Sequence, residues 1–435
     1  MNVKKIVDKY QQVISIINYL LVLAVAFSAA FPNRIFNTVW VLWLITWALE
    51  GRFLKKSNFS FDKSKIAILM LAAFYVWEAV SILWAVDKEA GYSILERQMS
   101  FIAIVPVALF GVNRYYKTTT IFTSLVIGVL ISVLSYSMTL VYLNNVEYFL
   151  HSGDNAFWNG FNAENFSLWM SRIKHRLYYT TILAVAIFAL PFLYKKYVAH
   201  YNKYLTAIVL GFVALMILLM IYLSGSRSMI LALILFAAIA LFRFVNKKYS
   251  LLIASGIGLI VVTGLYLFMA YHPRMQNFKS DDFEALKTGK TTNEMIEPRL
   301  LIWHAVFESP SDYFWHGVGA GNSTNYLVEK YKSNNFPDRF VIRRFGPHNQ
   351  YFAEMIELGI AGALYLILFL FVFYGSLSGN ARRFAFYFSL LIAFNLLTEA
   401  MLGRGDGVLT LSFFSLMCIW MEKEQKENKK LSERI

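Results

Sequence analysis

Between Pro298 and Leu364 the chain gathers residue types that could do chemistry. The stretch opens at EPRLLIWHAVFESP, passes through WHGVGAGN and ends in FGPHNQYFAEMIELGIAGAL. His348 follows Gly346-Pro347 at the expected mouth of a helix over 351–374. Proline suits the first turn of a helix. The partial positive charge of a helix N-terminus disfavours a protonated imidazole. A neutral imidazole at a membrane surface can take the proton of an alcohol. The competing role for His348 is that of a helix-capping or interfacial histidine.

Arg299 follows Glu297-Pro298, a second helix start, with Trp303 four residues on and so on the same face. A planar guanidinium fork binds phosphate; the alternative is a pair with Glu297 or another nearby acid. Arg227 lies in LSGSRSM, a small turn rich in hydrogen-bond donors between two apolar runs. Backbone N–H groups plus one guanidinium suit an anionic head group. A snorkelling interfacial arginine is the structural alternative. HGVGAGN (316–322) has no strand before it and no Lys-Ser/Thr after it, which excludes a nucleotide loop. Its glycines let the backbone turn tightly, and a ligand is one thing it could turn against.

Glu78 interrupts the apolar run 66–86, which SILWAVDKEA (81–90) ends. An acid inside a span is a functional candidate, although pairing with an arginine would also explain it. Glu354 and Glu357 pose the same choice. Arg404 and Asp406 in LGRGDG read as a local pair. The other histidines, at 151, 175, 200, 272, 304 and 316, have no metal spacing. HExxH and an outer-loop DxD are both missing, so no metal site is expected.

These residues need elements to hold them, and composition says which. The chain has 435 residues, 58% hydrophobic and 16% charged, with a mean hydropathy of +0.50. Apolar runs of roughly 15–22 residues recur throughout, about the length that crosses a bilayer core. The expected class is an all-α polytopic membrane protein with about twelve transmembrane helices and one large periplasmic loop. The expected spans are 13–31, 35–49, 66–86, 101–112, 121–142, 177–194, 204–223, 229–244, 251–271, 350–374, 384–401 and 408–420. The run at 101–112 is short and holds Pro106, so it is expected to kink or to borrow residues from either side.

The 41 Lys and Arg against 27 Asp and Glu leave 41 − 27 = +14. In a membrane protein this surplus follows the positive-inside bias rather than nucleic-acid binding. Alternate loops (51–65, 113–120, 195–203, 243–248, 378–383) are basic. With the basic tail on the same side as MNVKKIVDK, both termini are expected in the cytoplasm. The N-terminal apolar run reads as an uncleaved signal anchor. Cys418 is the single cysteine, which excludes an intramolecular disulfide. Two longer segments, 144–176 and 272–347, fall outside the membrane, and the second is rich in Lys and Arg. Long loops escape the positive-inside rule. Those cations therefore suggest an anionic partner at the outer leaflet, an ordinary solvated surface being the alternative. The expected organisation is nine spans over 1–271, a loop with short helices over 272–347, and three spans plus a tail over 348–435.

In order, SILWAVD, SGSRS, R-x3-W, HGVGAGN and PHNQYFAEMIELGIAG resemble the O-antigen ligase and O-antigen polymerase superfamily of bacterial envelope proteins. The resemblance covers most of the chain. It implies a GT-C-like fold in the inner membrane, with a metal-independent glycosyl transfer at the periplasmic face and no cofactor. It implies a donor glycan on undecaprenyl pyrophosphate and, for a ligase, a sugar hydroxyl of lipid A–core as acceptor. Membrane lipids, not nucleic acid, would surround it. Arg227 and Arg299 would hold the pyrophosphate, and His348 would be the base. Trp303 and Asn349 would line the substrate site, with Arg343 and Arg344 as further phosphate or core contacts. A polymerase would share the donor and differ in the acceptor. A transporter would instead carry ionisable residues at the midplane and internal pseudo-symmetry, and a membrane scaffold would need no such site.

Overall fold

The structure, a computed structural model, describes residues 3–149, 174–244 and 298–433, with 256, 258, 259 and 263 between them. The described residues form helices and turns and no strand. Among the described residues the first helices are α1 (Val3–Ser28), α2 (Asn33–Leu49), α3 (Ile66–Ser81), α4 (Lys88–Gln98), α5 (Ser100–Phe110), α6 (Thr118–Phe149), α7 (Arg176–Tyr197), α8 (Lys203–Leu223) and α9 (Arg227–Phe244). After the undescribed stretch come α10 (Pro298–Glu308), α11 (Ser323–Ser333), α12 (Asp338–Ile342), α13 (Gln350–Leu358), α14 (Ile360–Gly375), α15 (Gly379–Thr398) and α16 (Gly405–Ser432).

Helical periodicity decides which faces meet. In α1, Val22, Val25 and Ala26 recur at i, i+3 and i+4 and are fully buried, and α1 packs on α2 and α6. Phe36, Trp40, Trp43 and Trp47 form the buried face of α2, and Trp43 lies edge-on to Trp420 of α16. Asn18 supplies the polar contact in this seam. Its Nδ2 donates to the Trp43 carbonyl at 3.1 Å and to Thr46 Oγ1 at 3.0 Å. Its Oδ1 accepts from Tyr116 at 2.6 Å, and Tyr116 in turn accepts from Trp43 Nε1 at 2.6 Å. Every polar atom of this buried group has a partner, which is the condition for such a network to stabilise.

Among the described residues, six helical stretches are long and apolar enough to cross a membrane: Lys9–Ser28, Lys63–Trp84, Lys88–Phe110, Thr118–Thr139, Arg176–Tyr197 and Lys203–Leu223. Ser228–Ile239 and Ile360–Gly375 are apolar but shorter. The span expected over 251–271 lies outside the described residues. The short run at 101–112 does borrow from its N-terminal side, through α4. The helix expected over 350–374 is instead two helices. Gly359, at φ 78°, breaks it into α13 and α14.

The basic loops 51–65, 113–120, 195–203 and 378–383 gather at one end of the bundle. Lys426 of α16 pairs with Asp62 at 3.2 Å. Glu422 accepts from Ser378 N at 2.8 Å, Glu424 from Thr118 N at 3.1 Å, and Tyr197 meets Thr123 at 3.0 Å. The opposite end is covered by a second, smaller core. Leu301, Ile302, Tyr313, Leu327, Tyr331 and Phe340 pack there with Met355 and Ile356 of α13. That compact unit therefore runs through α13.

The glycine-rich turn is fastened to α13. Val318 N donates to the Ile356 carbonyl at 2.8 Å and Gly319 N to the Glu357 carbonyl at 3.0 Å. They satisfy carbonyls that the helix end leaves open. Gly317 has φ +70°, and a Cβ there would lie 2.1 Å from the Glu357 carbonyl oxygen. Gly317→Ala should therefore cost more than about 2 kcal/mol of stability, seen as a lower melting midpoint or lost monodisperse protein. Gly211→Ala on α8, with nothing within 4 Å of the added Cβ, should be neutral or stabilise by about 0.5–1 kcal/mol.

Candidate functional site

A cavity of about 510 Å³ opens at the loop-covered end. Its walls come from α4, the approach to α13 over 343–348, the turn 399–404, Glu78 of α3, the segment 321–324 and α13 itself. Each is held by contacts that the sequence motifs supply. Asp87 caps α4 by accepting from Ala90 N at 3.0 Å. Its own N–H donates to Asn322 Oδ1 at 3.0 Å, and Asn322 Nδ2 returns a bond to the Asp87 carbonyl at 3.1 Å. SILWAVD and HGVGAGN, 235 residues apart at this bond, are thus two halves of one joint. Ser81 Oγ adds to it by accepting from Ala320 N at 2.9 Å.

The segment before α13 is held by aromatic donors. Trp303 Nε1 donates to the Pro347 carbonyl at 3.1 Å, and the Tyr331 hydroxyl to the Phe345 carbonyl at 3.0 Å. Between these anchors and the helix, His348 sits in the left-handed region at φ +46°. Histidine visits that region more readily than bulkier residues, yet it persists only where surroundings enforce it. The helix does not begin at Pro347-His348, as the sequence suggested. Asn349 is the cap, its Oδ1 accepting from Phe352 N at 3.2 Å.

His348 Nδ1 lies 3.4 Å from Glu399 Oε2. Glu399 follows the last residue of α15 and is 7% exposed. Burial alone would raise its pKa, but the hydrogen bond and charge of His348, then His175 and Arg404, bring it below the ordinary glutamate value. In the tautomer with its proton on Nδ1, His348 donates to Glu399 and leaves Nε2 as the free acceptor. His175, at the start of α7, stands within electrostatic reach of the same carboxylate. Burial pushes it down to about 4, against the opposing pull of Glu399.

Arginines ring the cavity. Arg97 donates to the Gly403 carbonyl at 3.0 Å and to Ser93 Oγ at 2.8 Å. Arg344, at φ +48°, is hydrogen-bonded to Asn325. Arg343 and Arg404 are exposed cavity-lining cations. The opposite wall is acidic. Glu78 of α3 meets Glu354 and Glu357 of α13, with one carboxylate oxygen from each within 4.8 Å of the others. Gln98 Nε2 donates to Glu78 at 3.1 Å, and Gln350 Nε2 to Glu354 at 2.6 Å. Gln350 Oε1 also accepts from Leu402 N at 2.6 Å, which ties the acidic wall to the 399–404 turn.

Of the residues singled out by sequence, Glu78, Arg343, Arg344, His348, Glu354, Glu357 and Arg404 share this cavity. Trp303 reaches it through Pro347, and Asn349 is a buried cap. Arg299 is half-buried in the first turn of α10, away from the cavity lining. Glu297 and the Arg227 side chain lie outside the described residues, although Arg227 opens α9. Arg404 and Asp406 form no salt bridge among the described residues; Asp406 is buried in the first turn of α16, near Lys174 and Asn33. Sequence reasoning missed Glu399, Arg97 and Gln98. Glu399 could have been found by the rule that singled out Glu78, an acid inside an expected span, since it falls within 384–401. No motif marks Arg97 or Gln98.

Residues 212–367 match the family Wzy_C, described as O-Antigen ligase. The match supports the O-antigen ligase and polymerase superfamily for this chain. It includes His348, Arg343 and Arg344 and stops short of Glu399 and Arg404. No curated protein matches the chain.

Asn349 gives a test of cap against ligand. If its side chain serves the helix, Asn349→Asp keeps the melting midpoint and Asn349→Ala lowers stability by about 1 kcal/mol. Equal loss of stability in both variants would remove the cap as its role.

Proposed function

From the O-antigen ligase match and the cavity at His348, we propose that this protein is a membrane glycosyltransferase of the ligase type. It moves a glycan from undecaprenyl pyrophosphate to a sugar hydroxyl of lipid A–core, with the cavity facing the periplasm and both termini in the cytoplasm. The observation that carries the reading is the His348–Glu399 pair in a cavity rimmed by arginines.

A sugar hydroxyl is a poor nucleophile and needs a positioned base. His348 Nε2 takes its proton while Nδ1 stays bonded to Glu399, whose charge stabilises the imidazolium that forms. The freed oxygen attacks the anomeric carbon. The bond from that carbon to the pyrophosphate oxygen breaks, the electron pair leaves with the pyrophosphate, and the centre inverts. Pyrophosphate is already a good leaving group. Arg343, Arg344 and Arg404 supply charge where it develops, so the departing phosphate needs no metal. Arg227 and Arg299 serve as further cations for the donor pyrophosphate. Two lipid-anchored substrates in one cleft lose little further entropy on meeting.

In a purified system, His348→Ala should lower transfer to lipid A–core by about 10²–10⁴-fold with insertion intact. Glu399→Gln should lower kcat by about 10–100-fold and leave KM for donor nearly unchanged, because it acts through His348. Transfer at the wild-type rate in the His348 variant would end the proposal. Arg404→Ala should raise KM for donor, with partial rescue by Lys, which lacks the planar fork. In a deletion strain, surface lipid without long glycan, together with accumulated lipid-linked polymer, is the ligase outcome. A single repeat unit left on the core would make the chain a polymerase instead.

A further inference from the structure

We propose that a second cavity, at the basic end of the bundle, holds the phosphate of an anionic phospholipid. The inference goes beyond the transfer reading and does not rest on it. The cavity has a volume of about 500 Å³ and lies between the N-terminal half of α1, the loop after α2 and the loop before α6. Arg52, Lys55 and Arg114 line it, with Glu50 the one acid among the lining residues. Three cations and one carboxylate leave 3 − 1 = +2 around this space.

Its walls are held in place by the protein itself. Glu50 is 8% exposed. Its Oε1 accepts from Ser15 Oγ at 2.9 Å and its Oε2 from Asn113 Nδ2 at 3.3 Å. Asn113 Nδ2 also donates to the Ser15 carbonyl at 3.0 Å, so α1 and both loops are tied together. Arg52 Nε donates to the Gly111 carbonyl at 3.2 Å, and Asn58 Nδ2 donates to the Arg52 carbonyl at 2.9 Å. The Arg52 guanidinium stands 3.8 Å from Glu50, and neither Nη makes a hydrogen bond among the described residues. Anchored through Nε, it keeps its outer nitrogens as a fork for phosphate oxygens. Lys55 and Arg114 are exposed and form no salt bridge among the described residues. The contact of Arg114 is with the Tyr115 hydroxyl, at 3.5 Å. One carboxylate does not neutralise three cations, and a phosphate completes the balance.

The rim selects a lipid over a free anion. On α1, Val13, Ile16, Ile17 and Leu20 recur at i, i+3, i+4 and i+7 and are 47%, 40%, 43% and 56% exposed. Ile16 is four residues from Gln12 of the cavity wall and so shares its side of the helix. On the loop, Phe53 and Leu54 stand between Arg52 and Lys55 and are 42% and 76% exposed. A water-soluble phosphate gains nothing from this apolar rim. A phospholipid lays its acyl chains on it while its phosphate meets the cations, and basic pockets between transmembrane helices suit such head groups.

The test uses the full-length protein, delipidated in detergent. Native mass spectrometry counts the lipid retained after addition of phosphatidylglycerol or phosphatidylethanolamine. The melting midpoint is read with each lipid and with glycerol 3-phosphate alone. We expect one phosphatidylglycerol per chain, held at least tenfold more tightly than phosphatidylethanolamine, and a midpoint raised by about 2–4 °C. Glycerol 3-phosphate should leave the midpoint where it was. Lys55→Ala combined with Arg114→Ala removes two exposed side chains, which a folded chain tolerates. It should weaken retention at least tenfold and abolish the rise. Lys203→Ala, an exposed cation of the basic loops outside the cavity lining, should bind as wild type. A double variant that holds lipid like the wild type overturns the proposal. So does an equal loss in Lys203→Ala, because the attraction then belongs to the basic loops at large. Equal retention of both lipids, or an equal rise with glycerol 3-phosphate, overturns it too.

Discussion

The carboxyl end of α13 is the constraint on which the rest of the site depends. Its last carbonyls, at Ile356 and Glu357, accept from Val318 and Gly319, and the Glu357 carboxylate takes Gly321 and Ser323. A nine-residue helix has little stability of its own. Packing and capping from a distant loop give α13 a fixed position. Because the loop also joins Asp87 and Ser81, the same contact sets α4 against α13. The cavity is the space left between them.

His348 is fixed by the same logic from the other end. Asn349 begins the helix, the carbonyls of Phe345 and Pro347 are tied to Tyr331 and Trp303, and the chain between must turn through a left-handed residue. Leaving a histidine in that conformation costs free energy, which the surrounding contacts offset. What results is an imidazole with one nitrogen turned to Glu399 and little freedom to swing away. As the proposed base, an imidazole held this way would need less reorganisation when a proton arrives.

Composition made the membrane class legible, and residue order made the loop-covered end legible as the place to look. His348, Arg343 and Arg344 were readable because they sit close together in sequence. Glu399 was not, since it approaches His348 only through the packing of α15 on α13, 51 residues away. The acidic wall was hidden for the same reason. Glu78 and Glu354 each look like a lone acid in an apolar run, and neither carries a motif that names the other. The break at Gly359 was concealed by an unbroken apolar pattern. Hydropathy reports burial and not direction, so a change of axis at one glycine leaves no trace in it.

Charge is distributed across the cavity with opposite signs on opposite walls. Exposed arginines stand at the rim and buried carboxylates at the inner wall. An anionic group entering such a space is drawn to the rim and, where the acids are ionised, repelled from the wall. A uniformly basic cavity would bind the same anion in several orientations. Where the acids keep net negative charge, they do for orientation what the arginines do for attraction.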